Sequence, residues 1–574
     1  MLLSAFLTLA PVAPPAPVAQ DVLSIYLNRT EALLKHPKDR GLVRVLDLLN
    51  ARLLELPSEI REMREVPPQL IPAAVDMLNS AKTIRLLDAR ETSPMIPLSG
   101  HVSLMPKNAE QAAQWMGMVE GLMRQAGAPL GAKDASGMVP IEGGPMPVVF
   151  GVDGGSLVLH AGSPASTMLD LSDVGLPAGI QPDFGMRMDL GTMLDMFLPF
   201  LSMQEPEAGD VILDIASATG LDSFSVHVAA GSTDTAGYSV ARMPGFGQAM
   251  RSRGVLPVEG LTSADLALIP ADANMASMMA VDMKGLFSMV LGIAEPYLAQ
   301  EGFDRPLERI EEMVGVHIER DLLDHLGTYL GSYTSDTTGG GGMMSMVMFI
   351  EAKDPAKLEE GLERISNLVN NALAAEAKGY VQMRSIDRAG MRCHTLTFPG
   401  LPIPAEPTLV VGKNNLFIAL TPQAAVAGAA REGASGNGLL GNSEFMADFD
   451  GNFSGLYGVS FYEADFGLRE GYGLTSLLCS GLSNGVRSRL DVTRDAGLVM
   501  PTFHELAQGV RATVGVTRIN EGGDIVCTTK GDPSVLVNLT RGIGIMASNP
   551  ATWLQFMPLI MGQMAPRMMY AQEW

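Results

Sequence analysis

The chain runs through the same five pattern blocks twice in the same order, and no other feature restricts its fold as strongly. The first block is an apolar run of period two that turns into a helix: VLSIYLNRTEALL at 22–34, then MMAVDMKGLF at 278–287. The second is a strand followed by a long amphipathic helix. In its later copy, MVMFIEAKDPAKLEEGLERI at 346–365, Asp354 is placed at the N-cap and Pro355 at the first helical position, where a missing N–H costs nothing. Leu358, Leu362, Ile365, Val369 and Leu373 then recur at spacings of three and four and share one face. Lys378 suits the helix C-terminus and Gly379 the left-handed closing position. The earlier copy, from His101, sets Asn108 as cap, Ala112, Trp115, Val119 and Leu122 on one face, and Gly127 at the close.

The third block is a hairpin, VVFGVDGGSLVLHAG at 148–162 and TLVVGKNNLFIAL at 408–420. Its turns are expected at Asp153-Gly154 and Asn414-Asn415, residues that tolerate positive φ. The fourth returns to strand then helix, GMRMDLGTML at 185–194 and GLYGVSFYEA at 455–464. The fifth is another hairpin, FSVHVAAGSTDTAGYSVARM at 224–243 and VRATVGVTRINEGGDIVCTTKG at 510–531. Adjacent hairpins predict antiparallel sheets with helices on one face. The expected fold is therefore α+β in two tandem related repeats, 20–265 and 266–574, joined near Leu268-Ile269-Pro270. The stretch from Thr30 to Leu87 reads as mostly helical, and Ser335 to Gly342 as a mobile loop.

Length and composition agree with packed domains. A chain of 574 residues exceeds one compact core, and 47% hydrophobic with 18% charged residues excludes wholesale disorder. The 38 methionines read as adaptable core filler. A formal net charge of −23 without a local run of Lys and Arg argues against a nucleic-acid partner. Three cysteines, Cys393, Cys479 and Cys527, stand at no metal-ligand spacing and allow at most one disulfide. Residues 1–19 read as a signal peptide: an apolar run from Leu2 to Ala10, then small residues before Gln20. No Lys or Arg precedes that run and proline crowds the cleavage site, so a mis-assigned start or an apolar leader are the alternatives. No stretch reaches the ~20 apolar residues of a transmembrane helix; the most apolar one outside the leader, Trp553 to Met561, is broken by Pro558. The mature chain is expected to be exported, periplasmic or extracellular, with no transmembrane segment.

Three elements, LIPADANMASMMAVDMKGLF at 268–287, HIERDLLDHLGTYLGSY at 317–333 and NSEFMADFDGNFSGLYGVSF at 442–461, resemble a bacterial family of exported proteins known only as a domain of unknown function. The resemblance covers about 270–465 directly and the first half through the duplication. It implies export and an α+β repeat, and it carries no activity and no functional residues.

Candidates for chemistry each meet a simpler explanation. Gly481-Leu482-Ser483-Asn484-Gly485 has the pattern of a hydrolase nucleophile elbow, with Leu474 to Leu478 as the strand before it, but such matches are common in a glycine-rich chain. His317, Asp321 and Asp324 would share a face of one helix, as a metal site wants. Punctuation is the favoured reading there: Gly315 stops a preceding helix, and Asp321 opens a short one that Gly327 ends. His504-Glu505 lacks the second histidine of a zinc-protease helix, with Gln508 in its place. Asp448, Asp450 and Asn452 begin like a calcium loop, but Phe453 stands where glycine is needed. The glycines at 339–342 and Gly245-Phe246-Gly247 make no nucleotide site. His160, His227 and His394 fall in strand patterns and read as surface or core residues. No catalytic, cofactor-binding or metal residues are therefore assigned and no cofactor is expected.

The favoured functional expectation is an exported, non-catalytic structural or interaction protein of the bacterial envelope, with an unknown protein partner. The alternative is a binder or carrier of an apolar small molecule or lipid, in which methionines would line a cavity. The second alternative is an exported serine hydrolase resting on Ser483, which would need a cleft and a histidine within reach.

Overall fold

In a computed structural model of the full chain, the described residues run from Asp21 to Ser548, with breaks of which the longest are 60–69, 89–97, 197–215 and 301–310. The chain is α+β, with antiparallel sheet throughout. Its contacts form two compact units, one from 1–33, 49–205 and 222–231, the other from 34–48, 206–221 and 232–574.

The first unit holds β1 (Asp21–Leu27), β2 (Ala81–Asp88), β3 (Leu98–Met105), β4 (Val139–Ile141), β5 (Val148–Asp153), β6 (Ser156–Ala161), β7 (Phe184–Asp189) and β8 (Ser225–Ser232). They pair antiparallel in the order β8-β7-β1-β2-β3-β6-β5-β4. Among its helices are α1 (Leu70–Asn79) and α2 (Ala109–Gln125). Asn108 Oδ1 accepts from Gln111 N at 2.9 Å, so the expected cap closes the α2 start, and Gly127 takes φ 77° at its end. Trp115 and Met116 bury against Phe150 and Leu157, with Leu104 and Val152 beside them. Leu104, Leu157 and Val152 are cross-strand partners, so α2 covers the sheet face that these three share.

The second unit orders β9 (Gly237–Met243), β19 (Ile525–Gly531), β18 (Thr513–Ile519), β17 (Leu456–Tyr462), β10 (Ala273–Ala280), β11 (Leu326–Ser335), β12 (Val347–Ala352), β16 (Asn415–Ala419), β15 (Thr408–Val411), β14 (Met391–Thr397) and β13 (Gln382–Arg388). The run β18-β17-β10-β11-β12-β16-β15-β14 has the same chain-order pattern as the sheet of the first unit, strand for strand. The helix after the third strand, α3 (Pro355–Glu376), starts as its sequence requires, with Asp354 Oδ1 accepting from Lys357 N at 3.2 Å. Leu358 and Leu362 bury against Ala352 and Leu416, with Ile350 and Val411 packed beside them, while Gly379 takes φ 80°. On the opposite face, α4 (Pro422–Arg431) sets Ala424, Ala425 and Ala429 in the core with Val347, Phe349, Phe417 and Phe461. Helices thus cover both faces of this sheet, not one, because the face away from α3 is also apolar.

Several local expectations fail for tertiary reasons. Residues 81–88, read with the helical stretch before them, form β2. The β15–β16 turn is Gly412 to Asn415, and Ala389 is the only non-glycine with positive φ among the described residues. Glu432, at the end of α4, fixes that turn by accepting from Lys413 N, Asn414 N and Asn415 Nδ2. The two strands of the fifth block in the first half fall to different units: β8 pairs with β7, and β9 pairs with β19. Ser335 to Gly342 carries a 3-10 turn at Asp336–Thr338, capped reciprocally by Ser335 and Thr338.

Candidate functional site

A run of exposed leucines lies on α6 (Leu468–Val486), the helix after β17, which packs on α7 (Val535–Ser548). A short helix, α5 (Ser443–Asp448), precedes β17. The contact between α6 and α7 is made backbone to backbone. A Cβ on Gly471 would stand 1.9 Å from Thr540 O, and one on Gly544 would stand 1.7 Å from Gly467 O, so only glycine fits at these points. Leu468, Gly471, Thr475, Cys479, Ser483 and Val486 make up the buried side of α6. Its flank is apolar too: Leu474, Leu477, Leu478 and Leu482 are 52%, 70%, 52% and 49% exposed. At 100° per residue these leucines form a stripe beside the buried face, with Gly481 and Gly485 between them open to space. The following loop adds Leu490, Val492 and Leu498, all more than 70% exposed. An apolar surface of this extent marks a contact site, whereas a lone exposed leucine needs no account.

The N-terminus of α7 is held by a residue from far along the chain. Asp39, fully buried, accepts from Ser534 Oγ at 2.7 Å, Val535 N at 3.1 Å and Leu536 N at 2.9 Å. A carboxylate there satisfies orphan helix donors and suits the helix dipole.

In the first unit, a cavity of about 500 Å³ lies between the sheet and the loop 171–182. Tyr26, Thr83 and Met105 form its floor; Leu169, Leu171, Leu176, Pro177 and Ile180 form its roof. The loop comes down on two strand glycines, since a Cβ on Gly185 would meet Leu171 at 2.1 Å and one on Gly231 would meet Gln181 O at 2.3 Å. Beside the floor runs a row of polar side chains across six strands. Register pairs join His227, Arg187, Ser24, Arg85, His101 and His160 in turn. Asp173 holds Arg187 and His227, and Asp21 holds Arg85 at 2.5 Å. His101 and His160 face each other Nδ1 to Nδ1 at 2.8 Å, so one ring donates and the other accepts. Burial, with His160 and Arg85 adding to it, pushes His101 down to about 4. Burial likewise lowers His160.

The sequence candidates are dispersed or engaged elsewhere. Ser483 lies inside α6, and its Oγ donates to Gly497 O at 3.2 Å. Leu474 to Leu478 is helix, so the strand–turn–helix of a nucleophile elbow is not formed. The helix at His317 is short, Ile318–Asp321, with a 3-10 turn at Leu323–His325 after it, and Gly327 lies in β11 instead of closing a helix. Asp321 caps the His317 N–H at 2.9 Å; hydrogen bonding to Arg320 leads the effects that hold its carboxyl below the usual range. Asp324 pairs with Lys284 at 2.7 Å. Gly315 lies outside the described residues. Among the described residues no group of three His, Cys, Asp or Glu side chains could hold a metal. Asp448 takes Arg511 and Lys530, each at 2.6 Å, and Asp450 takes Arg518 at 2.7 Å, so neither is left for calcium. Glu505 forms a capping box with Thr502. Cys393, Cys479 and Cys527 are free thiols.

His394 lies in β14 as a core residue, within the expected reading, and adds a set of polar partners to it. Fully buried between α3 and β13, it meets Glu359 Oε1 through Nε2 at 2.8 Å, and Ser385 and Ser366 through Nδ1 at 3.0 and 3.2 Å. Ser366 Oγ also donates to Leu362 O at 2.8 Å. With the imidazole wholly covered, this set works as a polar clamp between helix and strands. Its members come from three elements 35 residues or fewer apart, and nothing in their spacing announces it.

No family model matches the chain, and no curated protein matches it. Among solved structures, crystal form IV of TP0453 covers 40% of this chain and 78% of its own at 9% identity, with a TM-score of 0.20. A likeness that slight carries neither fold nor function across.

Proposed function

We propose that this chain is an exported, non-catalytic interaction protein of the bacterial envelope, built from two tandem copies of one α+β unit, and that it docks a partner protein through the leucine flank of α6. The four leucines at 474, 477, 478 and 482, about half or more exposed on a helix whose other side is packed, carry the reading. Leucines at spacings of four form a ridge, and the open glycines beside them let a second helix approach closely, so a partner helix fits best. The eight-strand order common to both units supports duplication, and the leader 1–19 supports export. Replacing Leu474, Leu477 and Leu478 by Ser tests the docking. The expected result is loss of a larger complex when extracts of the producing cells are sized, with the chain's own thermal transition unchanged. An unchanged complex would overturn it.

A second reading, binding of an apolar small molecule, is favoured by one observation, the cavity roofed by loop 171–182. Its volume lies within the ~300–1,000 Å³ of small-molecule sites. The hydrolase reading has no such support, because its serine sits within a helix.

A further inference from the structure

The cavity of the first unit has a division of chemistry between floor and roof. Six roof residues are leucine, isoleucine or proline, with Ser172 and Gln181 set among them, and Met105 borders the floor. The floor presents two hydroxyls, Tyr26 and Thr83, which are direct cross-strand partners. Among the described residues neither hydroxyl has a hydrogen-bond partner, although the Thr83 residue is only 1% exposed. Both residues line the cavity, so a molecule that displaces water from these hydroxyls must supply a hydrogen-bond partner in its place. The charges around the floor weigh against an anion. Asp183, itself buried and held by Asn28 Nδ2 at 3.2 Å, raises the Tyr26 hydroxyl, after burial and ahead of the opposing Arg29. Arg29 is turned to the carbonyls of Met105 and Pro106, at 3.0 and 2.7 Å. The two other cations on this face, Arg85 and Arg187, are neutralised by Asp21 and Asp173.

We propose that this cavity takes an uncharged amphiphile of the long-chain alcohol or monoacylglycerol class, its hydroxyl head held by Tyr26 and Thr83 and its apolar body under Leu171, Leu176 and Ile180. The proposal rests on the second reading above and adds the ligand class and the two residues that select it. The loop's two glycine contacts, at Gly185 and Gly231, set the height of the roof over the sheet.

Calorimetric titration of the full chain at pH 7 with 1-decanol, decanoate and butylbenzene tests it. Decanol is expected to bind one per chain and about tenfold tighter than decanoate, the effect of one well-made hydrogen bond plus an uncompensated charge. Tyr26→Phe, which keeps the ring and its packing, is expected to weaken decanol about threefold to tenfold and leave butylbenzene unchanged. Thr83→Val added to it should remove the remaining preference. Equal binding of decanol and decanoate, or decanol binding indifferent to Tyr26→Phe, would overturn the head-group assignment while leaving an apolar site. Binding of none of the three would overturn the apolar-site reading with it.

Discussion

The two units carry eight strands in one order, with a long helix after the third strand of each, yet the faces turned away from those helices are chemically opposite. In the second unit, register pairs across that face run Val516, Val459, Met278, Gly331, Phe349, Phe417, Val410 and Cys393. These are core residues; Gly331 leaves room for the Phe349 ring, which a Cβ there would meet at 2.3 Å. In the first unit the matching run is His227, Arg187, Ser24, Arg85, His101 and His160. One sheet face is sealed by α4 and aromatic packing. The other keeps buried polar groups, each needing a partner, and a loop that leaves a cavity. The lesson is that strand order alone does not decide what a sheet face does; the residues at alternate positions do.

The contrast can be broken in steps. Phe349→Ala should cost about 3–5 kcal/mol, because it empties the aromatic cluster of Tyr333, Phe349 and Phe417. The urea midpoint by far-ultraviolet circular dichroism measures it, and a loss below 1 kcal/mol would mean the face is not a packed core. Acidification should act on the other unit. His101 is lowered in the folded chain to about 4. The unfolded chain therefore binds more protons between that value and its ordinary ~6.5, and stability falls as pH drops through this window. The expected loss is roughly 2–3 kcal/mol. It is followed by Trp115 fluorescence in a chain with Trp553 and Trp574 replaced by Phe, and His101→Gln should shrink it. Asp39→Ala should cost about 1–2 kcal/mol by stripping the cap from α7; hydrogen exchange at Val535 and Leu536 reads it directly. The smallest effect is expected at Leu477→Ser, within ~0.5 kcal/mol in stability, since that side chain is 70% exposed.

Much of this architecture was legible because strands and helices announce themselves locally. The cap at Asp354, the proline at 355 and the glycine at 379 are short-range chemistry, and α3 follows them. The turn at Gly412 to Asn415 was misplaced because Glu432, from beyond the hairpin, decides it. Leu474 to Leu478 resembled a strand since a short apolar run has no period to read; the glycines that seat α6 on α7 settle it as helix. The polar row was invisible for a different reason. Its six residues sit on six strands, and only the sheet register lines them up. A usable signal did exist: Thr83 and Arg85 stand at alternate positions of β2, and Ser99, His101 and Ser103 at alternate positions of β3, so one face of each strand is marked as polar.

The central claim is that the flank of α6 is a docking surface. A photo-crosslinking residue placed at Leu477 in the producing cells tests it most directly, with Val258, exposed at 88% but outside that stripe, as the control position. A discrete protein adduct at 477 and none at 258 is the predicted result. Adducts of equal yield at both positions, or none at 477, would contradict it.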